Sequence, residues 1–150
     1  MESERDGRPH EALEQMDDRI REFVSQRTWA IVGASNDPSK YGNRVYRTLR
    51  DAGYSVFPVN PNEDEIEGAR AYPAVGDLPV VPDVVDLVVP PKIGVDVVRQ
   101  CHEAGVRRVW FQPGAESEEA IEYCRQQNID VVWDHCAMHH HTEWPAQVEA

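Results

Sequence analysis

The sequence predicts an α/β fold, a doubly wound parallel sheet flanked by helices, and three observations carry that expectation. Short apolar runs alternate with amphipathic stretches of helical period from residue 28 to residue 133. The run "DVVDLVV" (83–89) is apolar nearly throughout, as a strand covered on both faces must be. Almost every run ends in a segment rich in glycine, proline or polar residues, and strands alternating with helices imply βαβ units.

The elements follow in order. Residues 10–26 place Leu13, Met16, Ile20, Phe23 and Val24 at spacings of three and four, an amphipathic helix in an N-terminal arm covering residues 1–27. "TWAIVG" (28–33) is the first strand. In "NRVYRTLRDAG" (43–53), Val45, Leu49 and Ala52 share a helix face and Gly53 supplies the stop. "YSVFPV" (54–59) is the second strand, "GARAYP" (68–73) a short third near an edge, and "DVVDLVV" the fourth. "GVDVVRQCHEAG" (94–105) is a helix closed by Gly105, and "VRRVWF" (106–111) is the fifth strand. "SEEAIEYCRQQN" (117–128) opens with Ser117 as N-cap and two glutamates where the helix dipole favours them. "IDVVW" (129–133) is the last strand. Residues 28–141 therefore form one domain, followed by a tail over 142–150, with no internal repeat.

Composition narrows the function. At 150 residues and 41% hydrophobic, the chain supports one domain with a real core. A net charge of -12 opposes non-specific attraction to phosphate backbones, so no nucleic-acid partner is expected. The longest apolar run falls far short of the ~20 residues that span a bilayer, and "MESERDGRPH" lacks the apolar core of a secretory signal. No membrane association and a cytoplasmic location are expected, with Cys101, Cys124 and Cys136 as reduced thiols.

In such sheets ligands bind beyond the carboxyl ends of the strands. The segments there are "GASNDPSKYGN", "NPN", "PPK", "QPG" and "DHCAMHHH", five strand ends converging on one rim. The first runs into a helix N-terminus, whose free N–H groups and dipole favour an anion. Gly33 permits a tight turn and close backbone approach, Gly42 opens the helix, and Lys40 supplies charge that the Ser35 and Ser39 hydroxyls supplement. Ordinary turn chemistry is the competing reading of the two glycines, and the position after a parallel strand favours a phosphate. The loop is neither G-x-G-x-x-G nor G-x-x-x-x-G-K-[ST], so the standard dinucleotide and triphosphate fingerprints are missing. Where a dinucleotide site would place an acid on the ribose, the chain has Asn60-Pro61-Asn62, better suited to a ribose carrying its own phosphate.

The segments "VGASNDPSKYGNRV", "VFPVNPN", "DVVDLVVPP", "VWFQPG" and "WDHCAM" resemble, in order and spacing, the small coenzyme A-binding domain proteins, themselves similar to the N-terminal domain of the succinyl-CoA synthetase alpha subunit. The resemblance covers about residues 28–140. It implies a Rossmann-like fold that binds coenzyme A across the strand ends. Gly33, Ala34 and Ser35, with the loop Ser39, Lys40, Tyr41 and Gly42, would then lie at the phosphates. Asn60, Pro61, Pro90, Pro91, Gln112, Pro113 and Gly114 would lie beside the rest of the ligand. Lys40, Arg44 and Lys92 are the cations near this rim, Arg44 being equally readable as a solvated helix residue.

The last motif departs from the family, which has D-R-C followed by a glutamate and a histidine; here Asp134-His135-Cys136 precede His139-His140-His141. Cys136 with the histidines suggests zinc, yet no C-x-x-C or H-x-x-x-H spacing is present, and a solvated tail over the pocket is the preferred reading, with no metal. Cys136 sits where a coenzyme thiol could reach it, but an ordinary small buried cysteine is the preferred reading, and Cys101 and Cys124, in phase with Val98 and Ile121, are expected in the core. Tyr46 and Trp110 read as packing residues, and Tyr41, inside the loop, as the exception. No nucleophile and base pair stands out by spacing. The expected function is a stand-alone, non-catalytic module binding coenzyme A or acyl-CoA in a carrier, sensor or regulatory role. Its protein partner, a second copy or another chain, is left open. An NAD(P)-binding oxidoreductase or redox sensor is the alternative, opposed by the broken fingerprint and by Asn60, and a metal-dependent enzyme is the third.

Overall fold

The computed structural model describes residues 9–144. The Leu13 side chain and residues 1–8 and 145–150, parts of the expected arm and tail, lie outside the described residues. Five parallel strands build the main sheet: β1 (Thr28–Val32), β2 (Ser55–Val59), β5 (Val84–Leu87), β6 (Arg108–Phe111) and β7 (Asp130–Val132), in the order β2-β1-β5-β6-β7. Helices α1 (Pro9–Val24), α2 (Tyr41–Asp51), α3 (Pro91–Ala104) and α4 (Glu118–Gln126) flank it. This is the doubly wound, Rossmann-like α/β architecture that the alternation of strands and helices predicts.

Alternation along each strand divides the core in two. Trp29 and Ile31 of β1, Val84 of β5 and Trp110 of β6 face α1 and α2, packing with Phe23, Val45 and Leu49. Ala30, Val32, Val85, Leu87, Val109 and Phe111 face α3 and α4, packing with Val98, Cys101 and Cys124. Both of those cysteines are fully buried, as their phase predicts. Helix α1 contributes Ile20, Phe23 and Val24 to the first core.

The expected third strand is corrected. Residues 65–70 form a small antiparallel hairpin, β3 (Glu65–Ile66) with β4 (Ala69–Arg70), and Tyr72 joins the main sheet only through an isolated bridge to Val59. Glu67 and Gly68 both have positive φ, 52° and 81°, the conformation a two-residue hairpin turn demands. That turn diverts the chain before a sheet strand can extend.

Helix ends follow the sequence signals to within two residues except at the start of α3. Ser117 caps α4 by accepting from the Ala120 N–H at 3.1 Å, and Gly105 closes α3 at φ 86°. Helix α3, however, begins at Pro91, three residues before the predicted start, because Pro90 serves as N-cap and a proline at the first helical position loses no hydrogen bond. Among the described residues no helix is long and apolar enough to cross a membrane.

The strand order matters most for the site. From β1 the chain crosses to β2 on one side; from β5 it crosses to β6 on the other. The carboxyl ends of β1 and β5 therefore mark the topological switch point, where doubly wound sheets open a crevice.

Candidate functional site

The loop between β1 and α2 is built around backbone approaches that only glycine allows. Gly33 has φ 99°, and a Cβ there would lie 2.2 Å from the carbonyl oxygen of Val88, the residue that follows β5. Gly42, in the first turn of α2, faces the same constraint: its Cβ would lie 2.0 Å from the Gly33 carbonyl oxygen. The two glycines thus clamp the loop, the helix start and the end of β5 together, and Gly42 serves the packing of the loop as well as the opening of the helix.

Side chains hold the rest of the loop. The Asn43 amide, fully buried, donates to the Ser35 carbonyl at 2.8 Å and to Glu67 at 2.7 Å, while its oxygen accepts from Arg47 at 2.7 Å. Asn36 ties the loop to the hairpin through the Glu65 carbonyl and the Glu67 N–H. Asp37 accepts from both the backbone and the hydroxyl of Ser39, at 3.0 and 2.8 Å; these bonds, with Lys40 nearby, hold its carboxyl below the usual range. The Ser39 hydroxyl is therefore engaged by a carboxylate, and a phosphate arriving here competes with Asp37.

Lys40 occupies the N-cap of α2 and makes no side-chain capping bond, and the first turn contains no acid. The amides of that turn are thus not engaged by a capping side chain, the condition for anion binding. Lys40 is exposed, and Arg44, one turn on, places its guanidinium 5.7 Å from the Tyr41 ring centroid. Among the described residues neither forms a salt bridge, whereas Arg50, Arg99, Arg108 and Arg125 all do. Lys92 is exposed on the first turn of α3, lining a different groove with Asp96 and Glu119, so it does not join Lys40.

Next to the loop lies a cleft of about 260 Å³ lined by Tyr41, Val88, Val89, Pro90, Gln112, Pro113, Gly114 and Ala115. Gln112 is 1% exposed and organises its inner wall. Its Nε2 donates to the Tyr41 hydroxyl at 3.0 Å and to the Cys136 sulfur at 3.4 Å, and its Oε1 accepts from the Ala137 N–H at 2.9 Å. Tyr41 in turn donates to Cys136 at 2.9 Å. Burial first, then the Cys136 sulfur and the Asp86 carboxyl, push the Tyr41 hydroxyl up, so it remains a donor. A larger groove of about 430 Å³ opens between residues 74–82 and α3, but it is lined by Asp77 and Glu103 and by no lysine or arginine, a poor match for an anion.

The structure thus brings Gly33, Ala34, Ser35, Ser39, Lys40, Tyr41 and Gly42 together in one loop, with Pro90, Gln112, Pro113 and Gly114 beside it. Asn60 reaches the same loop as a brace: its amide donates to the Ala34 carbonyl at 2.8 Å and its oxygen accepts from Asn62 N–H at 2.8 Å. Pro61 is exposed beyond it, and Pro91 turns away into α3. Among the described residues no group of three histidine, cysteine or acidic side chains is arranged to hold a metal ion.

Residues 27–142 match the family described as CoA binding domain. The chain belongs to that family. Among its relatives, the acetate–CoA ligase [ADP-forming] II subunit alpha of Pyrococcus furiosus is 31% identical over 125 residues, covering 76% of this chain and 27% of that subunit. The chain therefore spans about a quarter of that relative's length. The Bacillus subtilis protein YneT, described as uncharacterized, is 29% identical over 107 residues, covering 71% of this chain and 79% of its own. Among solved structures, a conserved hypothetical protein from Pyrococcus furiosus has 46% identity and a TM-score of 0.73, covering 75% of this chain and 97% of that one. A hypothetical protein from Pyrococcus horikoshii OT3 has 37% identity and a TM-score of 0.80, covering 83% and 88%.

Sequence reasoning missed two buried polar residues of this domain. Asn43 reads as an ordinary helix position, although an asparagine straight after the loop glycine is placed to brace the turn. Asp86 reads as an interruption in an apolar run, yet it is fully buried and neither carboxyl oxygen has a hydrogen-bond partner among the described residues.

Proposed function

We propose that this chain binds coenzyme A, free or as an acyl thioester, at the switch-point crevice and acts as a binding module with a carrier, sensor or regulatory role. The observation that carries this reading is the juxtaposition of an uncapped helix start bearing Lys40 and Arg44 with the cleft between Tyr41, Val88 and Gln112. Cofactor sites commonly occupy ~300–1,000 Å³. A cleft of about 260 Å³ therefore suits one slender part of the ligand, the pantetheine arm, while the phosphates lie on the open rim against Lys40 and the α2 amides.

Binding rather than ligation is favoured because residues 27–142 match a family described as CoA binding domain, and the match to the Pyrococcus ligase subunit takes in only 27% of that subunit. An NAD site is disfavoured by the end of β2: Asn60 spends its amide on the loop backbone and presents no acid to a ribose.

The test is a thermal shift. Coenzyme A at a hundredfold its dissociation constant adds about 2.7 kcal/mol to the folded state, which raises the midpoint of a domain this size by roughly 5–11 °C. NAD at the same concentration leaves the midpoint in place. A shift with NAD equal to or larger than that with coenzyme A overturns the proposal.

A further inference from the structure

The segment after β7 carries histidines that the binding site does not use. His135 precedes Cys136, and a single 3-10 turn, Ala137–His139, brings the chain back beside it. The turn is closed by the His139 N–H on the Cys136 carbonyl at 2.9 Å and by the His140 N–H on the Ala137 carbonyl at 3.2 Å. The rings of His135 and His140 consequently stand 5.3 Å apart, edge to face, and the His140 ring lies 6.3 Å from that of Trp110. At that distance the indole is past the ~6 Å within which its face attracts a cation.

Few charges face this cluster. His140 meets His135 and His139 from its own segment and Asp17 from α1. Helix α2 packs on the same turn through Tyr41 on Cys136 and Thr48 on Met138, and β6 packs on it through Trp110. His141 pairs instead with Glu143, at 3.6 Å. Partial burial first, then His135 and His139, push the His140 imidazole below the usual histidine range, and Asp17 opposes them.

The same turn supports the cleft. Trp110 Nε1 donates to the His135 carbonyl at 2.8 Å, and the Ala137 N–H donates to Gln112 Oε1 at 2.9 Å. With its oxygen held there, buried Gln112 turns its amide toward Tyr41, and the two line the cleft together. Whatever loosens the histidine turn therefore loosens the inner wall of the site.

Resting on the coenzyme A reading above, we infer that His135, His139 and His140 form a pH-sensitive latch on the cleft. Neutral, they leave the turn closed on Gln112; protonated, they repel one another and release it. A histidine whose folded pKa lies below its unfolded value of about 6.5 contributes stability that is fully present above that value and is lost as pH falls through the folded one. Acid thus opens the latch, and neutral pH closes it. Because His139 and His140 are exposed, solvent screens the repulsion, and the effect is a local loosening of about threefold to tenfold.

The first measurement needs no ligand. It is the hydrogen-exchange protection factor of the Ala137 amide at about pH 7.5 and about pH 5.5, in the wild type and in the double variant His135→Asn, His140→Asn. Protection is expected to fall about threefold to tenfold in acid in the wild type and to stay level in the variant. Level protection in the wild type, or an equal fall in both proteins, overturns the latch. If the double variant does not fold, His140→Asn, at an exposed position, replaces it and should show a smaller fall than the wild type. Calorimetry with coenzyme A at the same two pH values reads control of the site: wild-type affinity should fall about threefold more than that of the variant, a comparison that cancels the ligand's own phosphate ionisation. Equal falls overturn that control. Absence of coenzyme A binding in both proteins at the higher pH refutes the binding reading, while the protection factors still report the latch.

Discussion

Replacing Gly42 by alanine adds one methyl group at the point where the first turn of α2 rests on the Gly33 carbonyl. The new Cβ would stand 2.0 Å from that oxygen, and both sides of the contact are backbone, so no rotamer change relieves it. Reaching even 3.0 Å requires the loop and the helix start to separate by about 1 Å. Overpacking of this kind costs about 1–3 kcal/mol, and a clash between two backbones belongs at the upper end. Alanine returns about 1 kcal/mol of helix propensity, leaving a net loss of about 2 kcal/mol and a midpoint lowered by roughly 4–8 °C. Coenzyme A affinity falls at least tenfold, because the same shift displaces the phosphate loop from the cleft. Gly76→Ala is the control: it has open space and no positive φ, so it gains about 0.4–1 kcal/mol. Differential scanning calorimetry and titration with coenzyme A read both effects. A Gly42→Ala protein as stable as wild type, with unchanged affinity, would show that the clamp is not what shapes the site.

Two further predictions concern charge. Lys40→Ala should lower coenzyme A affinity about tenfold, the lower end of the ~1.5–3 kcal/mol of a charge-assisted contact, since Lys40 is exposed. Stability and pantetheine binding should be unaffected, and equal losses for both ligands in calorimetry would remove Lys40 from the phosphate site. Asp86 has its carboxyl pushed well above the usual value by burial. Its contribution to stability is thus fully present below its unfolded pKa, about 4, and is lost as pH rises toward the folded value. The stability of Asp86→Asn relative to wild type should accordingly increase with pH above about 4 in urea titrations, and a pH-independent difference would contradict the buried-acid assignment.

What the sequence made legible was whatever depends on local periodicity or on one residue's backbone preference. The covered strand at 84–87, the Ser117 cap and the Gly105 stop all rest on such signals, and each stands in the structure. The hairpin at 65–70 was hidden because Glu67 at positive φ is not an expected turn residue, while "GARAYP" has the look of a strand. The early start of α3 was hidden for the opposite reason, two prolines reading as loop when Pro90 and Pro91 are cap and first turn. At the site, residues joined by the β1–α2 loop were legible as a group. The partners of Gln112 were not, since Tyr41 and Cys136 lie 71 and 24 residues away and meet it only through the fold. Asn60 shows the converse, a rim residue whose polar atoms the loop consumes.

The most direct test of where and what this domain binds is an amide NMR titration with coenzyme A. Binding at the switch point predicts that the Gly33, Ser35, Tyr41, Gly42, Gln112 and Gly114 amides shift, while Val75, Gly76 and Leu78 in the opposite groove stay in place. Shifts confined to residues 74–81, or none at saturating coenzyme A, would contradict it.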